Sequence, residues 1–217
     1  QYKTGSDNNL TFLTVLVSND RKIRDVVRTL QDWIRQQPHL PECAETRLLW
    51  RIWMIRKMSL ERTKQTVDMY YTVRNLIPEF FRNRDPVILQ EQQVFKHVHV
   101  LPFPILLDDF TQIINTRFLG TEDDQFDTIK FIKIGIMVSE LIFRSTNALG
   151  FQLVMDLKNV SLGVMMKITP AILKKIQVVI TKAYPLRIKS IHLTNAPDYI
   201  DKFVSLLKFA LPPKLIQ

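Results

Sequence analysis

A single cysteine, Cys43, serves the whole chain of 217 residues. It excludes an intrachain disulfide, and a secreted domain of this size more often carries paired cysteines, so a reducing, cytoplasmic setting is the expectation. Glycine is nearly as scarce. Its five positions, 5, 120, 135, 150 and 163, build neither a Walker-type phosphate loop nor a dinucleotide-binding fingerprint, so no nucleotide cofactor is expected. Long apolar runs are missing too: residues 10–17 are interrupted by Thr11 and Thr14 and fall far short of the roughly 20 residues that a membrane span needs. With no basic cluster and no initiator Met before it, that run is a poor secretory signal. The chain reads as soluble.

Catalytic constellations are also lacking. No Gly-x-Ser-x-Gly elbow exposes a serine, and Cys43 sits in a proline-flanked loop with only His39 nearby as a base. His97 and His99 stand two apart in an expected strand and would share a face, but no second pair at ligand spacing makes them a metal site. Asp108 and Asp109 adjoin in an expected turn, where solvation explains them better than acid–base work. The expectation is a protein that is not an enzyme and needs neither cofactor nor metal.

What the chain does have is positive charge, +9 overall. Residues 20–85 carry fourteen Lys or Arg against nine acids, residues 86–157 five against nine, and residues 158–217 ten against only Asp198 and Asp201. Solvated helix faces and a footprint for phosphates or a membrane surface both account for this gathering at the two ends. Aromatic interleaving and the known recognition signatures of nucleic-acid binders are absent, so no nucleic acid is expected as a partner.

Periodicity supplies the fold class. Residues 1–19 read as a loose leader. Apolar residues then recur at three and four (Ile23, Val26, Val27, Leu30, Trp33, Ile34), predicting a helix over 20–37 that Pro38 and Pro41 end. A second helix is predicted over 45–57, and a third from the N-cap Ser59 to about residue 76. These form a three-helix bundle whose boundary falls near Asp85, with residues 86–217 as a second domain. There, β-rich runs at 95–101 and 112–119 flank Pro102, Pro104 and an acidic turn, and predict paired strands. An apolar helix over 128–147, the strand 151–157, a loop, a helix over 171–183 with Thr169 as N-cap and Pro170 in its first turn, and the strand 186–193 follow. Strand, helix and strand in this order make a βαβ unit, hence an α/β fold.

Four segments carry a resemblance. GFQLVMDLKNVSLG, ITPAILKKIQ, AYPLRIKSIHLTNAP and the helix after them are similar in order and spacing to the CRAL-TRIO (Sec14-like) family, nearest in look to its tocopherol- and retinal-binding branch. Upstream, LQDWIRQQPHLP, SLERTK and YYTVRNLIPEFFRNRDP look like the helical region that precedes this domain, in the form it takes in insect members. The resemblance covers residues 20–214 and implies an N-terminal helical bundle followed by an α/β/α domain with a mostly parallel central sheet. It also implies an apolar pocket under a helical gate, which takes up one hydrophobic lipid (a tocopherol, a retinoid or a similar molecule) and delivers it between membranes.

Physics supports a gate over residues 198–211. Tyr199, Ile200, Phe203, Val204, Leu206, Leu207 and Ala210 form one face, and Asp198, Asp201, Lys202, Ser205 and Lys208 the other, although an ordinary surface helix shows the same pattern. Pocket-lining candidates are Phe131, Ile134, Val138, Phe151, Leu153, Met155, Tyr199, Phe203 and Leu207. Arg187 and Lys189 alternate on the last strand, and the resemblance assigns them, with Lys214, to a phosphoinositide-binding surface; exposed strand-edge cations are the plain alternative. The chain departs from the family pattern at Asn159, where a glycine is usual, and at Met54, Ile55 and Arg56, where an arginine-glycine-cysteine segment is usual. It also stops at Gln217, before the further strand and basic residues that the family shows, which implies a short C-terminal edge. The expected protein is a monomeric lipid carrier that docks peripherally on phosphoinositide-bearing membranes. An adaptor that keeps the fold but transports nothing is the alternative.

Overall fold

Where apolar residues recur at three and four, the chain is helical, and where they alternate or run on, it pairs into a sheet. The computed structural model describes residues 20–91, 94–120, 125–184, 187–201, 204, 205 and 208. Helices α1 (Asp20–Arg35), α2 (Thr46–Ile55) and α3 (Leu60–Leu76) form the expected bundle. α1 turns Val27, Leu30 and Ile34 inward, and α3 starts where the Ser59 hydroxyl accepts from the Arg62 N–H at 3.4 Å. Two short helices, α4 (Pro78–Phe81) and α5 (Pro86–Glu91), follow the bundle. Proline in the first turn of each costs nothing there, because that N–H has no helical partner.

The sheet has four strands, β1 (Val98–Leu106), β2 (Thr111–Phe118), β3 (Gly150–Asp156) and β4 (Arg187–Thr194), in that spatial order. β1 and β2 are antiparallel, whereas β2–β3 and β3–β4 are parallel. The parallel pairs require crossovers, and α6 (Thr128–Ser145) makes the first. Asp127 caps it by accepting from the Ile129 and Lys130 N–H groups at 2.9 and 3.0 Å. The second runs through α7 (Leu162–Met166), a short helix in the expected loop, and α8 (Pro170–Val178), which Thr169 caps as predicted. A π-helical turn, Val179–Ala183, then leads toward β4. The fold is α/β with a mostly parallel sheet.

Bundle and sheet domain share one core. Leu30, Ile34, Leu49, Ile52 and Phe80 are continuous in packing with Ile114, Ile136, Ile142, Phe151 and Val179. Two polar anchors cross the same junction. Arg51, only 1% exposed, donates from α2 to the Phe143, Thr146 and Ala148 carbonyls at and beyond the C-terminal end of α6 and lies over the Phe143 ring. Among the described residues no carboxylate pairs with it; the helix-end carbonyls, negative by the macrodipole, offset its charge. Glu140 of α6 is the second anchor, held at 3.0 Å by both Arg74 of α3 and Arg84.

Candidate functional site

Between the sheet and the helices lies a cavity of about 260 Å³, close to the lower end, roughly 300 Å³, of small-molecule sites. Its floor is the sheet: Val100, Ile114, Thr116, Phe151, Leu153, Met155, Ile188 and Ile191. Its walls are Phe131, Ile132, Gly135, Ile136 and Ser139 of α6, Leu173 and Ile176 of α8, and Val179, Ile180 and Tyr184 around the π turn. Phe80 and Ile168 complete it. Among the described residues no Asp, Glu, Lys, Arg or His lines the space, so water gains little from these walls and a hydrocarbon gains much. Gly135 holds the wall open, because a Cβ there would meet nothing within 4 Å.

Among the described residues, Ser139, Tyr184 and Thr116 are the lining residues with polar side chains. The Ser139 hydroxyl donates to the Gly135 carbonyl at 2.8 Å. Tyr184 donates its phenol proton to Glu140; burial first, and the negative Glu140 second, raise its pKa well above the ordinary tyrosine value. Thr116 sits on the floor.

Of the nominated lining residues, Phe131, Phe151, Leu153 and Met155 border the cavity. Ile134 does not: it packs with Leu89 of α5 and Val94, and Val138 lies against that same cluster and the main core. α6 is apolar on two flanks, and the lining one is Phe131, Ile132, Gly135, Ile136 and Ser139. Tyr199 is also absent from the lining; its hydroxyl donates to the Val160 carbonyl at 2.5 Å. Phe203, Leu207 and Lys214 lie outside the described residues, and of the expected gate helix Ile200, Asp201, Val204, Ser205 and Lys208 are helical. His97 precedes β1 rather than sharing it with His99. Among the described residues no group of three His, Cys, Asp or Glu converges on a metal position.

The basic residues of β4 are exposed but differ in company. Lys189 is paired with Asp109 at 2.7 Å. Burial raises the Asp109 pKa, but the hydrogen bonds from Lys189 and Thr111 outweigh it, so the carboxyl lies below its ordinary value. β4 shifts register opposite Phe151 and Gln152, so that Ile188 pairs with Phe151, Ser190 with Gln152, and Lys189 is the extra residue. That bulge brings Ile188 and Ile191, three apart, to the same cavity, which strict alternation does not predict. Arg187 lies near Arg56, whose pKa is lowered by burial and then by the charges of Arg187 and Arg62. Arg56 also reaches the π turn, 3.5 Å from the Thr181 carbonyl. Sequence reading noted Arg56 only as a departure from pattern; nothing local links it to a strand 131 residues later.

A mostly parallel sheet and its helices thus enclose a pocket that is apolar and uncharged among the described residues. Comparison with known proteins agrees. The CRAL/TRIO domain profile matches residues 109–217, and the Pinta-like, UBA domain profile matches residues 19–89. The chain belongs to the CRAL-TRIO family. It is similar to proteins named alpha-tocopherol transfer protein-like from Homo sapiens and Pongo abelii, 26% identical over 198 residues in each, and to the Mus musculus protein of that name, 26% over 203 residues. The match covers 89% of this chain and 57% of each relative, so the chain spans little more than half the length of the proteins it resembles. No helix among the described residues is long and apolar enough to cross a membrane.

Proposed function

We propose that the protein is a carrier, not an enzyme: it takes one hydrophobic lipid into the cavity and passes it between membranes in the cytoplasm. The observation that carries this reading is the lining of the cavity of about 260 Å³, which among the described residues is uncharged and almost wholly hydrocarbon. Burial is worth about 0.8 kcal/mol per methylene, enough to hold a long-chain ligand until the cavity opens at a bilayer. An open cavity also favours carriage over the adaptor reading.

Docking falls to the exposed Arg187, with Arg56 close enough for the two charges to repel, and to Lys189 and Lys214. Crowded cations beside one another gain most from a multiply charged phosphate headgroup, and a phosphoinositide-bearing surface supplies it. The helix that includes Ile200 and Val204 acts as the gate. Transfer of a fluorescent lipid between donor and acceptor vesicles tests the whole reading. The expected result is protein-dependent transfer, accelerated by phosphoinositide in the acceptor and slowed by Arg187→Ala; spontaneous-rate transfer with folded protein contradicts it.

A further inference from the structure

Building on the docking reading above, we propose that Ser59 is a phosphorylation site for a basophilic serine/threonine kinase, and that its phosphate turns off docking at the surface of Arg56 and Arg187. Ser59 closes the turn between α2 and α3, in the sequence Arg56-Lys57-Met58-Ser59-Leu60. Cations three and two residues before a serine, with an apolar residue after it, offer an acidic kinase cleft two charges and a side chain to grip. The turn is open to such a partner. Lys57 and Met58 are exposed, Met58 by 55%, and both hold a left-handed backbone, φ 57° and 58°, without being glycine. Residues held there cost energy, so this turn opens to the extended form that a kinase reads more readily than a relaxed one. The Ser59 hydroxyl accepts from the Arg62 N–H at 3.4 Å, a weak hold. Ser190 is the internal contrast: Arg187 and Lys189 precede it, but it lies inside β4, paired with Gln152 and 2.9 Å from His192 Nε2.

In the transfer, the Ser59 Oγ attacks the γ-phosphorus of ATP and the bond from that phosphorus to the bridging oxygen breaks. ADP leaves with the electron pair, and the hydroxyl proton passes to a carboxylate of the kinase. The product carries a charge of about −1.5 to −2 at neutral pH. Arg56 and Arg62 stand three residues to either side of it, and the Ser59 N–H donates to the Arg56 carbonyl at 3.3 Å. Burial, and then the charges of Arg187 and Arg62, hold the Arg56 pKa down, so Arg56 sits between two cations that repel it. A phosphate on Ser59 supplies these cations from within the chain with the anion that a phosphoinositide headgroup supplies from outside. It also repels an anionic bilayer. Glu61, two residues on, is paired with Lys64 at 3.1 Å.

The folded full chain, incubated with magnesium-ATP and the catalytic subunit of the cyclic-AMP-dependent kinase, tests this, with the modified residues located by tandem mass spectrometry. The expected result is phosphate on Ser59 and none on Ser190. The modified chain is then co-sedimented with phosphatidylcholine vesicles that contain phosphatidylinositol bisphosphate. Its affinity falls about thirtyfold, roughly fivefold for each of two charges neutralised, and phosphatase treatment of the same sample restores it. That reversal needs no variant, so a lost helix cap cannot imitate it. Folded chain left unmodified at Ser59 overturns the site. Modified chain that binds these vesicles as tightly as the unmodified chain overturns the switch while the docking reading stands. Unmodified chain that binds them no better than plain phosphatidylcholine overturns the docking reading, and the switch with it.

Discussion

Gly135→Leu separates stability from binding, two properties that a substitution in an ordinary core lowers together. Gly135 lies mid-helix in α6, lines the cavity, and has open space where its Cβ would be. Replacing glycine in a helix interior gains roughly 0.8 kcal/mol, and covering lining atoms with four new carbons adds to it. A protein of this size gains about 2–4 °C in Tm for each kcal/mol. The same four carbons occupy the room of about four ligand methylenes, at ~0.8 kcal/mol each. The loss of about 3 kcal/mol corresponds to more than a hundredfold in affinity. Thermal melts and hexadecanol titration of the two proteins measure both quantities. A Tm lowered by several degrees would show that the space is not there, and a raised Tm with unchanged affinity would show that the ligand sits elsewhere.

Four further outcomes follow from the junction and the sheet. Arg51→Ala orphans buried carbonyls at about 2 kcal/mol each and relieves the burial cost that lowers the guanidinium pKa to about 10; the net loss is about 3–4 kcal/mol. Arg51→Met, which refills the space without charge, costs about half that, and urea unfolding distinguishes the two. Gly150→Ala would place a Cβ 2.5 Å from the Arg187 carbonyl across β3 and β4, so a loss of about 2 kcal/mol or more is expected in the same assay. Asp109→Asn releases Lys189 from its 2.7 Å ion pair and raises binding to phosphoinositide vesicles, measured by co-sedimentation, whereas Arg187→Ala lowers it. Because the folded-state pKa of Asp109 lies below its ordinary value of 3.8, its contribution to stability is complete above that pH and is lost as pH falls through the depressed value; Asp109→Asn flattens that part of an acid-unfolding curve.

Local signals carried the helices and most of the strands into view. Ser59 and Thr169 mark helix starts as N-caps, and the three-to-four spacing in α1 includes its buried residues Val27, Leu30 and Ile34. The misses share a cause, since each depends on what a segment meets across the fold. Pro102 and Pro104 read as the end of a strand, yet β1 continues through both to Leu106 because it is an edge, where a missing N–H breaks no ladder. Apolar residues on two flanks of α6 give no sign of which one faces a void, so Ile134 and Val138 were nominated in place of Ile132, Gly135, Ile136 and Ser139. The β4 bulge that unites Ile188 and Ile191 arises from pairing with β3, and the Arg51 and Glu140 anchors join residues 44–97 positions apart. The apolar pocket came into view through the family resemblance, and the exposed β4 cations match the plain reading of strand-edge charges, because burial and solvation sort residue types wherever they fall.

The most direct measurement is native mass spectrometry of the purified chain with organic extraction of what accompanies it, before and after incubation with tocopherol, retinoid and phospholipid mixtures. A one-to-one adduct with a single hydrophobic lipid, lost in Gly135→Leu, is the predicted result. Folded protein that takes up nothing from any mixture would contradict the claim that this cavity carries a lipid.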